Sequence, residues 1–78
     1  MEKFAIIHET TKHGQILIEK ISNADALYVK VAFLVKGAAV EIKINADNQN
    51  ALNEIFKSYG SAETAIKTVD NIKKEYNL

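Results

Sequence analysis

Cysteine and proline are absent from this chain, and glycine occurs only three times among its 78 residues. The lack of cysteine excludes disulfides and metal sites built on thiolates. Gly14, Gly37 and Gly60 each fall where the neighbouring residue pattern changes, which marks them as boundaries between secondary-structure elements. A chain of this length is typical of one domain, so we expect residues 1–78 to form a single domain.

Arginine is also absent, so every one of the cationic side chains is a lysine, and an equal number of acidic residues balances them. Arginine is the preferred residue for bidentate contacts with phosphates and guanine edges. Its absence and the net charge of zero argue against direct binding of nucleic acid. A weak, steeply salt-dependent retention on nucleic acid would contradict this prediction.

Long apolar segments are missing as well. No run reaches the roughly 18 uninterrupted apolar residues of a membrane-spanning helix, because Lys30 and Lys36 interrupt the best candidate. The first four residues lack the long apolar segment of a signal peptide. We therefore expect a cytoplasmic protein, in a cell of its own or in a host cell, with no membrane partner.

Signatures of enzymatic chemistry are missing. The glycines are isolated, whereas loops that bind phosphates or dinucleotides need clustered glycines ahead of a helix. Ser22, Ser58 and Ser61 lack the GxSxG surroundings of a catalytic nucleophile, and Ser61 is better explained as a helix cap. We therefore predict a protein that is not an enzyme and has no catalytic residues and no cofactor.

Two histidines, His8 and His13, flank the first predicted hairpin loop, and Glu9 lies beside them. Imidazole and carboxylate groups are metal ligands, but a site needs at least three ligands in fixed geometry, and no further ligand is evident. We therefore predict no metal site and interpret both histidines as loop and strand-end residues. The alternative is a small enzyme assembled across a dimer interface, which would need His8 or His13 in a cleft.

The most informative segment runs from Ala26 to Ile44 and predicts two strands folded about Gly37, with residues 36–39 as the turn. It is rich in β-branched and aromatic residues, which favour strands. Every odd position of residues 27–35 is apolar, and so is every even position of residues 40–44. Apolar rows with a period of two residues indicate the core face of a sheet.

Two earlier strands are predicted at residues 3–9 and 15–21, joined by a polar hairpin loop at residues 10–14. In the expected register Ile6 faces the core and Ile7 faces the opposite side. A slip of the first strand by one residue would exchange the two, because successive side chains of a strand point to opposite faces.

The apolar spacing becomes helical after Ile44. Asp47 is the predicted N-cap of a first helix that Gly60 ends, and Ser61 is the predicted cap of a second. The apolar stripe of the first helix comprises Leu52, Ile55, Phe56 and Tyr59, and that of the second comprises Ala62, Ala65, Ile66, Val69, Ile72 and Tyr76. The predicted fold class is α+β in the order ββββαα, a two-layer domain whose four-stranded antiparallel sheet carries both C-terminal helices on one face.

The sheet face opposite the helices is predicted to be unusually apolar. A small sheet with one core face is normally polar on its other face. The predicted members of this face are Ile7, Leu17, Glu19, Tyr28, Lys30, Ala32, Leu34, Glu41 and Lys43. Scattered apolar surface residues are ordinary, but a contiguous apolar patch with a charged rim is typical of an interface. The predicted partner-binding residues are Ile7, Leu17, Glu19, Tyr28, Lys30, Leu34 and Lys43, with Tyr28 and Leu34 as anchors and with Ile7, Leu17, Tyr28 and Leu34 expected to be contiguous.

Residues 16–72 resemble the small phage anti-CRISPR proteins that act on type I-F surveillance complexes, which share the order ββββαα. The similar positions are Val31, Val35, Lys36 and Gly37 ahead of Val40, and then Asp47, Leu52, Phe56 and Gly60 in the first helix. The resemblance implies a protein without an active site that binds the backbone subunit of the guide-RNA complex and obstructs target DNA. Proteins of that family use tyrosines and an acidic residue on the sheet for contact, whereas Tyr28 is the only sheet tyrosine of this chain.

The leading interpretation is a non-enzymatic binding protein, an anti-CRISPR-like inhibitor that occludes a protein or ribonucleoprotein complex through the exposed face of its sheet. The alternative is a small homo-oligomeric structural or regulatory domain, a homodimer in which the same face pairs with itself. A solution mass of twice the 8.7 kDa chain would favour the alternative.

Overall fold

Four antiparallel strands in chain order form one sheet, and two helices follow them, in a computed structural model that describes residues 4–78. The elements are β1 (Ala5–Thr10), β2 (Gly14–Ser22), β3 (Leu27–Val35), β4 (Ala38–Asn45), α1 (Gln49–Ser58) and α2 (Ala62–Glu75). The predicted α+β fold with a four-stranded antiparallel sheet and two C-terminal helices is confirmed. Neither helix of the described chain has both the length and the apolar character needed to cross a membrane.

The strand boundaries differ slightly from those predicted. The expected start of the first strand at residue 3 lies outside the described residues, and β1 extends to Thr10. β4 begins at Ala38 rather than at residue 40, because the turn consists of Lys36 and Gly37 alone. Both residues have positive φ, 51° and 83°, as a two-residue hairpin turn of type I′ requires, and glycine adopts such a φ without steric cost.

The register of the first hairpin agrees with the prediction. Ile6 pairs with Ile18 and Ile7 pairs with Leu17, so Ile6 packs against the core while Ile7 faces outward and is 58% exposed. The buried core combines the predicted inner rows of the sheet with apolar residues of both helices. Its members are Ile16, Ile18, Val29, Val31, Phe33, Leu52, Tyr59, Ala65 and Val69. Both helices therefore lie on the same face of the sheet.

The first helix begins one residue later than predicted, with Asn48 rather than Asp47 as its N-cap. The side-chain oxygen of Asn48 accepts a hydrogen bond from the backbone N–H of Ala51 at 2.8 Å. Asparagine and aspartate cap helices equally well, so the path of the chain after β4 decides between neighbours. Ser61 caps α2 as predicted, through the N–H of Thr64 at 3.5 Å.

The apolar stripe of α2 is shorter than predicted. Ala65 and Val69 are buried and Ile66 and Ile72 are half-buried, but Ala62 is exposed and Tyr76 is 66% exposed. Tyr76 is the C-cap residue, with φ and ψ of −99° and 6°, so the helical period does not carry its side chain back to the sheet.

The helices cover the sheet unequally. α1 packs against β2 and β3, and α2 packs against β1. The central inward-facing residues of β3, Val29, Val31 and Phe33, are accordingly buried, whereas Val40, Ile42 and Ile44 of β4 are only half-buried. At the β4 margin of the sheet, the side chains that face the helices therefore stay partly exposed to solvent.

Candidate functional site

The outer face of the sheet, which is the face away from both helices, carries an exposed apolar group at one end. The register places Ile7, Leu17 and Ala32 in one row across three strands, and pairs Leu34 with Ala39 nearby. We call these five residues the outer apolar cluster. Ile7 and Leu34 are 58% and 54% exposed, and a shallow depression of about 220 Å³ lies between Leu17, Ala32 and Leu34. The cluster is an accessible apolar surface of the kind that marks interaction sites.

A charged row borders the outer apolar cluster. Glu19, Lys30 and Lys43 are cross-strand neighbours on β2, β3 and β4. The ammonium of Lys30 lies 3.0 Å from Glu19 Oε1 and 3.6 Å from Glu41 Oε2. The hydrogen bond that Lys30 donates to Glu19 is the main cause that raises the pKa of Lys30 above its usual value, with smaller contributions from Glu41. Lys30 is therefore a cation held in place between two carboxylates.

Tyr28 lies beyond this charged row. It pairs with Ile21 and Asn45, and the Lys43 ammonium sits 5.1 Å from the centre of its ring. Lys30 lies between Tyr28 and Ala32 on this face. The two residues are about 14 Å apart along the strand, because each residue adds a rise of about 3.4 Å. The structure thus brings Ile7, Leu17 and Leu34 together, as expected, but sets Tyr28 apart from them.

Beneath the first hairpin, the structure reveals a polar cluster that the sequence analysis did not predict. His13 is only 8% exposed, and its Nε2 lies 2.7 Å from Asp70 Oδ1 on α2. The ammonium of Lys73 donates to His13 Nδ1 at 3.0 Å. Because an ammonium can only donate, Nδ1 must accept, and Nε2 carries the proton that it donates to Asp70. These two contacts fix the orientation of the His13 ring between two residues of α2.

Asp70 has a second basic partner. The ammonium of Lys12, in the β1–β2 loop, lies 3.0 Å from Asp70 Oδ1. The hydrogen bond from Lys12, followed by that from His13, lowers the pKa of Asp70 below its usual value. The cluster of Lys12, His13, Asp70 and Lys73 joins the loop to the helix and serves as a structural tie. No local pattern could have revealed it, since the loop and the helix are far apart in the chain.

The other histidine has a separate partner. His8 Nε2 donates to the backbone carbonyl of Tyr59 at 2.7 Å, at the end of α1. Glu9 instead accepts a hydrogen bond from Gln15 at 3.2 Å. Across residues 4–78, no three histidine or carboxylate side chains are grouped so that they could hold a metal ion.

A larger open groove of about 600 Å³ lies where β2 ends beside the start of α1. Its one charged side chain, Lys20, lies 5.3 and 5.4 Å from the ring centres of Phe4 and Phe56 and donates to Asn53 at 3.2 Å. Lys20 is thus already engaged by the chain itself. The outer face remains the better candidate site, because its exposed apolar side chains, Ile7 and Leu34, are not packed against the core of the described chain.

Comparison of the chain with protein-family models, curated proteins and solved structures finds no match to any of them. The candidate site therefore rests on its own geometry. That geometry consists of an exposed apolar cluster, a neighbouring row of paired charges and a tyrosine at the far end of the same face.

Proposed function

We propose that this protein is a non-enzymatic binding protein that docks its outer face on a protein or ribonucleoprotein complex and obstructs it. The observation that carries the proposal is the outer apolar cluster. Ile7 and Leu34 are more than half exposed, although the chain has a core in which such side chains are normally buried. Burial of exposed apolar surface is the main favourable contribution to most protein association.

The size of the face supports docking of the whole sheet rather than of the cluster alone. A standard interface buries about 800 Å² on each partner, whereas the five side chains of the outer apolar cluster supply only a few hundred Å². The footprint must then include the charged row and Tyr28. Lys30 is already paired with Glu19, so its desolvation leaves no unpaired charge. Lys43 and Glu41, at the β4 side, are placed to orient the partner electrostatically.

The resemblance to the type I-F anti-CRISPR proteins identifies the partner class to test first. In this proposal the protein sits on the backbone subunit of the guide-RNA complex and blocks target DNA as a rigid body. The neutral net charge and the lack of arginine fit a ligand that binds protein surface rather than the nucleic acid itself.

The direct test is binding of labelled target DNA by a purified type I-F surveillance complex, with and without an excess of this protein. The wild-type chain should prevent DNA binding. Leu34→Glu should weaken inhibition by at least about tenfold, because it places a charge in the centre of the footprint. Leu78→Glu is the matched control, since Leu78 is 49% exposed at the chain end, compared with 54% for Leu34, and should inhibit normally.

Each outcome has a separate meaning. Unchanged DNA binding in the presence of the wild-type protein would overturn the anti-CRISPR version of the proposal. Inhibition that Leu34→Glu retains in full would show that the outer face is not the site. Inhibition that Leu34→Glu loses and Leu78→Glu keeps would support both the function and the face.

A further inference from the structure

The outer edge of β4 has free backbone hydrogen-bonding groups. In the two-residue hairpin the closing pair Val35 and Ala38 is hydrogen-bonded, and such pairs alternate along an antiparallel ladder. The N–H of Ala46 donates to Leu27 at 2.9 Å, which continues the same alternation. The even-numbered residues of β4 thus bond to β3. The backbone groups of Ala39, Glu41, Lys43 and Asn45 point away from the sheet, where no strand of the described chain lies.

The core side of the same edge is incompletely covered. Val31 of β3 is 0% exposed, whereas its cross-strand partner Ile42 is only half-buried, like Val40 and Ile44. A further strand beside β4, with its own apolar row on the same face, would complete the burial of these three side chains.

Several of the usual protections of an edge strand are missing from β4. Edge strands are commonly blunted by proline, by a bulge, by short length or by charged side chains, and β4 has only the last of these. The chain contains no proline, and β4 pairs with β3 over eight residues in an unbroken register. The charged residues of the edge, Glu41 and Lys43, are of opposite sign, so they do not repel a strand of matching charge pattern.

The sequence of β4 is complementary to itself when two copies run antiparallel. A two-fold axis at Ile42 places Ile42 opposite Ile42 of the second copy, and Val40 opposite Ile44. Glu41 then lies opposite Lys43 of the second copy on the outer face, and this pair occurs twice by symmetry. The backbone groups that face outward are those that this register needs, since Glu41 and Lys43 form its hydrogen-bonded pairs.

Neighbouring registers are less favourable. A shift by two residues places Glu41 opposite Glu41, or Lys43 opposite Lys43, and like charges directly opposite each other destabilise a sheet. A shift by one residue would pair an outward-facing side chain with an inward-facing one, which the pleat does not allow. Only the register centred on Ile42 pairs opposite charges and keeps matching side chains on the same face over the length of the strand.

We propose that the protein forms a symmetric dimer with a second copy of itself through the edges of β4, so that the two sheets become one continuous sheet. The pairs Glu41–Lys43 and Ala39–Asn45 give about eight main-chain hydrogen bonds between the copies. This surface shares only Ala39 with the outer apolar cluster, through its backbone, and it does not include Leu34 or Ile7. The dimer presents both outer clusters on the same face of the joined sheet, and its existence does not depend on the proposed function.

The test is the mass in solution, measured by light scattering and sedimentation up to about 1 mM protein, where even a weak dimer populates. The wild-type chain should approach twice 8.7 kDa. Glu41→Lys and Lys43→Glu each place like charges opposite each other and should weaken dimerisation on the order of tenfold or more. The double variant Glu41→Lys/Lys43→Glu restores opposite charges and should dimerise again. An equimolar mixture of the two single variants should form a heterodimer for the same reason.

Circular dichroism checks that each variant is folded. Leu34→Glu, which alters the outer apolar cluster and not the β4 edge, is the control and should dimerise normally. A wild-type chain that stays at 8.7 kDa over the whole concentration range would overturn the proposal. A dimer that both single variants retain would also overturn it. A dimer that only Leu34→Glu disrupts would place self-association on the outer face instead. Rescue by the double variant and by mixing would support the register centred on Ile42.

Discussion

The two lateral margins of the sheet are built differently. At the β1 margin, polar side chains tie the sheet and its hairpin loop to the helices. His8 bonds to the carbonyl of Tyr59, and His13 lies between Asp70 and Lys73. At the β4 margin the helices provide less cover, and the inward-facing residues stay half-buried. The comparison shows that polar ties close the β1 margin against the helices, whereas no side chain of β4 forms such a tie within the described residues. Apolar burial does not distinguish the margins, since inward-facing Ile6 of β1 is half-buried as well.

The closed margin uses buried polar groups without leaving any of them unsatisfied. His13 is nearly inaccessible, yet both ring nitrogens have partners on α2. Within residues 4–78, no buried side-chain nitrogen or oxygen lacks a hydrogen-bond partner. A buried polar group without a partner costs about 1–3 kcal/mol, so complete pairing is what makes this margin stable.

The largest expected effect is a difference in stability loss between the interior of the sheet and the β4 margin. It can be measured in one cross-strand row, in which Ile18, Val31 and Ile42 are neighbours. Ile18→Ala should lower the free energy of unfolding by about 3–4 kcal/mol, because Ile18 is fully buried. Ile42→Ala should cost only about 1 kcal/mol, since its side chain is half-buried. Urea denaturation at micromolar concentration, where the chains are dilute, measures both. Equal losses would mean that the β4 margin is covered as well as the interior.

A smaller effect is expected at the closed margin. His13→Ala removes two hydrogen bonds between the loop and α2 and should lower the free energy of unfolding by about 2 kcal/mol. Lys12→Ala is the matched control from the same loop. The Lys12 side chain is 66% exposed, and an exposed ion pair contributes less than about 1 kcal/mol. Equal effects of the two substitutions in urea denaturation would show that the buried His13 ring does not hold the loop to α2.

The smallest effect is a pH dependence at the same margin. The pKa of Asp70 is lower in the folded protein than its usual 3.8, chiefly because of Lys12 and then His13. Ionised Asp70 therefore stabilises the fold above pH 3.8, and this contribution is lost as the pH falls through the folded-state pKa. Asp70→Asn should be less stable than the wild type near neutral pH.

The difference between the wild type and Asp70→Asn should shrink toward zero in acid. Urea denaturation at several pH values measures it, and Asp47→Asn, which removes the same charge at an exposed position, is the control. A difference between wild type and Asp70→Asn that is constant across pH would contradict the assigned role of the ionised carboxylate.

Much of the fold could be predicted because its signals are local. The uninterrupted apolar row of residues 27–35 identified a strand, and Gly37 identified its turn. The helix boundary at Asn48 could not be predicted to the residue, because Asp47 caps equally well and only the exit path of β4 decides between them. Tyr76 continued the stripe of α2 in the sequence, but the helix had already ended.

The candidate site could be predicted in part. The pleat alone placed Ile7, Leu17 and Leu34 on one face, and the register brought them together. Tyr28 shares the face but not the cluster, because Lys30 lies between Tyr28 and Ala32 and its ion pairs with Glu19 and Glu41 form a charged row across three strands. That row depends on the register between strands. The outer face was therefore predictable as a set of residues and not as two separate groups.

The sequence by itself determined the order of the elements, the two faces of the sheet and the charge pattern of β4, because these depend on side-chain periodicity within a few residues. Only the tertiary structure decided that His13 is buried against Asp70 and Lys73, and that the helices leave β4 partly uncovered. The physical reason is that both follow from how the helices dock on the sheet. Docking joins residues distant in the chain, and it is set by the packing of the whole core rather than by any local pattern.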